Sequence, residues 1–537
     1  MGDMILKAGL LIIFFGVMVG IGLYCRRHAT DVNGFVLGGR SVGPWLTAFA
    51  YGTSYFSAVV FVGYAGQFGW KFGLASTWVG LGNAFIGSLL AWVLMGRRTR
   101  VMSKHLESAT LPEFFEKRYL SKKLKIASAV IVFLFLIPYT ASVYNGLSRL
   151  FEMAFNVDYS VCVIGMAVIT AVYVILGGYK ATAYNDFIQG IIMLLGISAV
   201  IVVTLVNKGG FYSAVEELSH VNAENAGPMS GMSGAFTSFF GPDPINLLGV
   251  IILTSLGTWG LPQMVHKFYT IKDEKSIKTG TIVSTAFALV IAGGCYFLGG
   301  FGRIFVQTAE NGMPAEGYDS IIPAMVSTLP EILIGVVVVL VLSASMSTLS
   351  SLVLTSSSTL TLDLILPLSK KKDEKKTLVV MRVFIGIFLL VSVIMALNKN
   401  ALISDLMGYS WGALAGAFLA PMLLGLFWKG VTRASVWASM IWGVGATAVH
   451  FAAKSAGALS GEICGFTVAS PVNLGAFTMV MGLIIVPIVS LLTPKLKKED
   501  TDRIFSCYDK KVEVSHVTAL TENEGQVILP IDTKEEK

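Results

Sequence analysis

Six hydroxyl side chains fall within nine residues at SASMSTLSS, residues 343–351: Ser343, Ser345, Ser347, Thr348, Ser350 and Ser351. They lie in the middle of one of the longest apolar runs of the chain. Hydrocarbon offers no water to a hydroxyl, so these groups must bond each other, the backbone or something bound. On a helix Ser347 and Ser351 share a face at i, i+4, with Ala344 and Thr348 beside them and Ser350 at i+3 from Ser347. The result is a wall of oxygens about two turns tall. A desolvated sodium ion needs roughly five or six hard oxygens, which small hydroxyls and the carbonyls of a broken helix supply without fixed charge. The alternative is close packing of small residues, with each hydroxyl bonded back to a carbonyl of its own helix. Six hydroxyls in nine residues is dense for packing alone, and the ion reading leads.

A second chemical group is Asp186, in YNDFIQG at the start of another apolar run. A carboxylate at that depth is costly and therefore a functional candidate, although a helix N-terminus also favours an acid. Asp363 and Asp405 lie nearer the ends of apolar runs and are expected to be solvated. Tyr55, Phe56 and Trp259, with Ser57 and Thr258 beside them, and Tyr139 after Pro138, are candidates to line a solute cavity. Membrane aromatics more often pack or form interfacial belts. GLGNAFIG at 80–87 has the look of a nucleotide loop, but it lies inside an apolar run with no strand before it, so helix packing accounts for it.

The elements that must position these groups are membrane helices. Of 537 residues, 54% are hydrophobic and 14% charged, far more apolar than a soluble chain. Apolar runs of roughly 17–25 residues, each long enough to cross a bilayer, recur throughout. Thirteen are read, at 5–25, 45–66, 75–95, 124–148, 158–177, 185–206, 243–262, 279–300, 328–362, 379–396, 403–427, 434–452 and 472–493. The first lacks a basic leader and a cleavage site, and is read as a retained helix. With the N-terminus outside, Arg26, Arg27, Arg97, Arg98, Arg100, Lys117, Arg118, Lys122, Lys123, Lys267, Lys275, Lys278, Lys370 to Lys372, Lys375, Lys376, Lys429 and Arg433 all fall in cytoplasmic loops. Only scattered charges such as Lys71, Lys208, Arg303 and Lys454 fall outside. The positive-inside rule thus orients the chain in the cell membrane with its C-terminus cytoplasmic. The net charge of +7 is a topology signal and gives no reason to expect nucleic acid as a partner. The five cysteines show no paired spacing, and the histidines no zinc-type spacing.

Two runs are interrupted. The second contains AYGTSYFSAVV (50–60), and the seventh contains SLGTWGLPQ (255–263) with Gly257, Gly260 and Pro262. Glycine and proline weaken a helix at mid-depth, where freed backbone groups are tolerated only beside a cavity or ligand. Five runs separate the interruptions, as in an inverted-repeat transporter with a midplane site. The chain then divides into an extra helix and cytoplasmic loop (1–44), a first five-helix repeat (45–206), an external loop (207–242), a second repeat (243–427), two further helices (428–493) and a cytoplasmic tail (494–537). That tail is expected to be disordered or a small hairpin. The fold class is all-α integral membrane with about thirteen transmembrane helices.

These residues resemble the sodium/solute symporters, and within them the branch of bacterial proline and pantothenate transporters. The likeness runs from about residue 5 to 495. It rests on LGGRSVGPW (37–45), TLPEFFEKRY (110–119), LGGYKATAYNDFIQG (176–190), GLPQMVHKFYTIKD (260–273) and SASMSTLSS. The resemblance implies the leucine-transporter-like five-plus-five fold. It also implies a widely shared sodium site made of the carbonyls of Thr53, Phe56 and Ala344 and the hydroxyls of Ser347 and Thr348. A second sodium site, found in some members, would take Asp186, Ser347, Ser350 and Ser351. One departure stands out: Tyr55 replaces an aspartate of the proline transporters, as in pantothenate-type members, whereas YSWGALAG (409–416) is of the proline type. The function implied is sodium-coupled symport of a small organic solute (an amino acid, pantothenate or another carboxylate), with sodium, solute and the lipid bilayer as its partners. No obligate protein partner and no enzymatic activity are expected. A sodium-independent facilitator and a transporter-like sensor are the alternatives.

Overall fold

The computed structural model describes residues 2–508, except for residues 27–28, 156, 223–226, 230, 310–311, 369–372 and 398–401. The basic run Lys370 to Lys372, Arg27 and the tail beyond Tyr508 therefore lie outside the described residues. The described chain is mostly helical, and its one sheet is a hairpin of two-residue strands, Glu462–Ile463 and Phe466–Thr467. Nine described helices are long and apolar enough to cross a membrane, or ten when the bent pair Pro244–Trp259 and Pro262–Tyr269 is taken as one crossing.

Two of the nine hold more than one apolar run. Helical residues continue from Tyr159 to Asn207, which at 1.5 Å per residue is about 73 Å, more than twice the hydrocarbon thickness. The backbone breaks at Gly178 (φ 55°, ψ −153°), where a Cβ would run into the carbonyl of Phe35. Asp186 consequently lies two turns beyond the break. It is not the first-turn cap that the apolar run beginning at 185 suggests, because the helix already starts at Tyr179.

The helix Glu331–Thr359, extended by a wider turn to Ile365, is the centre of the molecule and is buried along most of its length. It packs against Pro44–Tyr55, Lys122–Phe155, Tyr159–Asn207, Pro262–Tyr269 and Glu374–Ala396. Its far end corrects one expectation. Asp363 is not solvated but buried, accepting a hydrogen bond from Thr110 Oγ1 at 2.7 Å and facing Lys125 Nζ at 3.5 Å. Thr110 also caps the short helix Leu111–Tyr119 through Glu113 N, while Glu113 reaches back to Ala109 N, so a capping box holds this carboxylate's partner in place.

One face of the bundle carries the basic loops and the other the long loops 207–242 and 301–327. The long-loop face is not bare coil: it includes the helix Phe211–Ser219. On the basic face, arginines tie the loops together through carbonyls. Arg40 donates to Tyr269 O and Ser108 O, Arg100 to Ile271 O, and Arg98 to Leu426 O. Arg118, read as a loop charge, is fully buried and donates to Gly425 O and Trp428 O. The chain's last described helix, Lys498–Phe505, seals the same face, with Asp502 on Lys429 and Phe505 under Arg118.

Candidate functional site

Both interrupted runs are broken helices. The first half of one, Pro44–Tyr55, ends at an extended Phe56 (φ −111°, ψ 107°), and the helix resumes at Val59 under a cap from Ser57 Oγ. The last intrahelical bond runs from Phe56 N to Gly52 O, which leaves the carbonyls from Thr53 onward without helical partners. The other, Pro244–Leu256, tightens through Gly257–Trp259, passes an extended Leu261 and restarts at Pro262. Gly260 is required there because a Cβ would strike the backbone of Ala415 and Leu419.

The hydroxyl run divides according to what faces it. Ser343 and Ser345 bond back to Val339 O and Val341 O, each at 2.7 Å, as in simple packing. Ser347 and Thr348 instead meet the broken helix. Ser347 Oγ donates to Thr53 O at 2.8 Å, and Thr348 Oγ1 lies 3.3 Å from Thr53 O and 3.4 Å from Ser54 O. Both hydroxyls also lie within 3.2 Å of Ala344 O. Thr53 O, Ala344 O and the two hydroxyls thus form one compact oxygen cluster with no charged side chain among them. Around an ion with metal–oxygen distances near 2.4 Å, adjacent octahedral ligands lie about 3.4 Å apart, so these hydrogen-bonded oxygens would have to spread slightly to surround one. Phe56 sits at the break itself, and a void of about 10 Å³ touches both it and Ala344.

A different partner faces the next turn. Lys267 Nζ donates to Ser351 Oγ at 2.9 Å and lies 3.6 Å from Asp186 Oδ2, with the two charged side chains 2% and 0% exposed. Ser351 Oγ shares a hydrogen bond with Ser54 Oγ at 2.7 Å. Ser350 Oγ turns back to Ser347 O at 2.9 Å. Asp186 and Ser351 are therefore brought together around an ammonium, while Ser347 and Ser350 face elsewhere. Lys267, counted among loop charges from its position at the end of an apolar run, is a buried residue in the last turn of Pro262–Tyr269. The signal available in sequence was its place on the short helix PQMVHKFY that begins at the Gly-Leu-Pro break itself.

The aromatic candidates converge on Trp411, which sequence reasoning did not single out. Tyr55 stacks on Phe56 (4.2 Å between centroids) and lies 6.4 Å from Trp411, while Tyr139 meets Trp411 edge-on at 5.8 Å. Tyr55 Oη donates to Thr254 O at 2.6 Å, joining the two broken helices directly. Tyr139 Oη and Trp411 Nε1 are both buried and, among the described residues, neither makes a hydrogen bond within 3.5 Å. Thr258 and Trp259 turn their polar atoms to Gly87 O and Ile86 O at 3.0 and 3.1 Å. Separately from this cluster, a recess of about 460 Å³ opens to the long-loop face, lined among others by Gln67, Trp70, Asp243, Val250, Asp405 and Lys454 and by none of these aromatic candidates. Asp405 is half-exposed there and pairs with Lys454 at 2.6 Å.

Comparison with known proteins adds a family and a fold. The description "Sodium:solute symporter family" matches residues 35–443. The osmoregulated proline transporter OpuE of Bacillus subtilis (strain 168) is 30% identical over 442 residues, 81% of this chain and 86% of that protein. The sodium/proline symporter of Staphylococcus aureus (strain JH9) is 30% identical over 501 residues, 91% and 92% of the two chains. Among solved structures, a Na+-coupled sialic acid symporter in its substrate-bound outward-open state superposes with a TM-score of 0.72 at 16% identity, covering 92% of this chain and 99% of that one. Mhp1, a nucleobase-cation-symport-1 family transporter, gives 0.51 at 13% identity over 88% and 98%. At these identities the structural likeness speaks to fold.

Proposed function

The chain belongs to the sodium:solute symporter family, and from that premise we propose that it takes up a small zwitterionic amino acid, L-proline first among them, on a sodium ion held by the broken second helix and the helix Glu331–Thr359. Its class is shown by its relatives: a multi-pass membrane protein of leucine-transporter-like fold performing sodium-coupled symport, with sodium as the coupling ion and no enzymatic chemistry. The proposed ion ligands are the carbonyls of Thr53, Phe56 and Ala344 and the hydroxyls of Ser347 and Thr348. The observation that carries them is Ser347 Oγ at 2.8 Å from Thr53 O, a contact between two helices that exists only because one of them is broken.

The solute site proposed is an aromatic floor between the two breaks, around Tyr55, Tyr139, Thr258, Trp259 and Trp411, with Ser57 at the break. No charged side chain is among these residues, so a solute carboxylate would bind amides freed at the interruptions. A solute with no net charge fits that lining. The two proline-transporting relatives support proline, and Tyr55, where the family's proline transporters carry an aspartate, is the point against it.

Placing the basic loops in the cytoplasm puts the N-terminus outside and the C-terminus inside. The recess then faces outward, and the arginine ties of the basic face form the closed inner gate. Residues 45–206 and 243–427 are the proposed inverted repeats. Sodium entering from outside links Thr53 to Ser347, organises the floor and favours solute binding. Rocking of one repeat against the other then breaks the ties of Arg40, Arg98 and Arg100 and opens the site inward. With about 100 mV and a tenfold sodium gradient, one sodium ion provides about 3.7 kcal/mol, enough to hold a neutral solute at roughly 500-fold accumulation.

The test is uptake of radiolabelled L-proline, pantothenate, short monocarboxylates and sugars into proteoliposomes, with and without a sodium gradient. Proline uptake that needs the gradient is expected. Sodium-driven uptake of pantothenate with none of proline would overturn the solute assignment and leave the coupling ion in place.

A further inference from the structure

We propose that the Lys267 ammonium is the resident cation of the pocket formed by Asp186 and Ser351, and that this chain consequently moves one sodium ion per solute. The inference rests on the sodium-coupled reading above and specifies its stoichiometry.

The pocket has the composition of a cation site: a buried carboxylate and serine hydroxyls, reached from two helices. It already contains a cation. Lys267 Nζ bonds Ser351 Oγ at 2.9 Å, faces Asp186 Oδ2 at 3.6 Å and lies 5.1 Å from the centre of the Tyr179 ring, whose face attracts positive charge. A lysine this deeply buried needs a carboxylate, and Asp186 is the only one in ion-pair range among the described residues. A sodium ion at Asp186 and Ser351 would have to share that single negative charge with the ammonium. Among the described residues no second carboxylate pairs with Lys267. His266, the residue before Lys267, is buried against the same Tyr179 ring at 5.4 Å, and Arg40 lies on the adjoining Tyr269 carbonyl.

The hydroxyls agree with this division. Ser350 donates to Ser347 O and Ser347 to Thr53 O, so neither is directed at Asp186, and Ser351 is engaged by Lys267 and Ser54. An ammonium tethered to the helix Pro262–Tyr269 occupies the site without being released. It contributes positive charge to the pocket and no sodium to the transported cargo.

The experiment is equilibrium binding of 22Na+ to the purified full-length protein, with Ser347→Ala as marker for the shared site. Wild type is expected to bind one sodium per chain, with affinity weakened roughly 10- to 100-fold in Ser347→Ala. Lys267→Ala is expected to bind two, with the Hill coefficient rising from one towards two, because Asp186 and Ser351 are freed. Asp186→Asn combined with Lys267→Gln removes both charges and is expected to return to one, which also serves if Lys267→Ala alone does not fold. Two sodium ions on wild type, or an unchanged single ion on folded Lys267→Ala, would overturn the proposal while sparing the coupling reading. Absence of any sodium binding to wild type would overturn both.

Discussion

Two consecutive turns of one helix carry the same kinds of side chain and face opposite situations. At Ala344, Ser347 and Thr348 the helix meets carbonyls left bare by a break in its neighbour, and no charged side chain among the described residues bonds them. At Ser351 it meets an ammonium already paired with a buried aspartate. A hydroxyl can accept from a cation or donate to a carbonyl, so its residue type does not decide which it does. The group opposite decides. One turn therefore has the features of a site that binds and releases an ion, and the other those of a site permanently neutralised.

The widest expected effect comes from removing the tethered charge. Lys267→Ala strands Asp186 in a site with no solvent, and should cost about 3–5 kcal/mol of stability when sodium is replaced by choline. Sodium should restore much of it, since the ion then has a vacant carboxylate to pair with. Thermal unfolding of the detergent-solubilised protein, followed with and without sodium, measures both. A loss that sodium does not repair would mean that Asp186 and Ser351 do not take the ion even without the ammonium, and that the two turns differ by more than Lys267.

Next in size is the uncharged turn. Ser347→Ala removes a ligand hydroxyl and should raise the half-saturating sodium concentration for uptake roughly 10- to 100-fold, the weight of one hydrogen-bonding group on a charge. Ser343→Ala, one turn earlier and bonded only within its own helix, should leave sodium activation unchanged. Equal effects of the two would erase the distinction between ligand and packing hydroxyls.

A smaller effect is expected at the buried carboxylate near the far end of this helix. Asp363→Asn weakens a contact with Thr110 and Lys125, but Lys125 keeps Glu116 at 2.9 Å. A stability loss of about 1–3 kcal/mol with unaltered sodium dependence should follow. Altered sodium activation would make this carboxylate, too, part of the ion machinery. Smallest is Tyr55→Phe, which removes the 2.6 Å bond to Thr254 O between the broken helices. It should raise the KM for solute about fivefold, the equivalent of about 1 kcal/mol, and change half-saturating sodium little.

Much of this was legible in the residue string. The interruptions at 50–60 and 255–263 are visible because glycine, proline and small polar residues stand out against apolar neighbours, and they coincide with the observed breaks at Phe56 and Gly257–Leu261. The hydroxyl wall announced itself by density. What escaped were groups whose environment is set by distant chain. Lys267 and Arg118 read as loop charges because they sit between apolar runs, yet both are buried by segments far away in sequence. Asp363 read as solvated because the loop carrying Thr110, 253 residues earlier, could not be placed over it. Trp411 lay in a quoted stretch, but nothing local to it says that Tyr55 and Tyr139 converge there.

The sequence by itself determined that the chain lives in a bilayer, which face of it carries the basic loops, and which two helices must break. Those properties follow from local composition, since hydrocarbon requires long apolar runs and a helix fails where its own residues weaken it. Only the tertiary structure decided what each buried polar group faces. Ser347 meets Thr53 across 294 residues and Lys267 meets Ser351 across 84. Such pairings arise from packing, through which a serine four residues from another becomes the partner of a lysine where its neighbour meets a bare carbonyl.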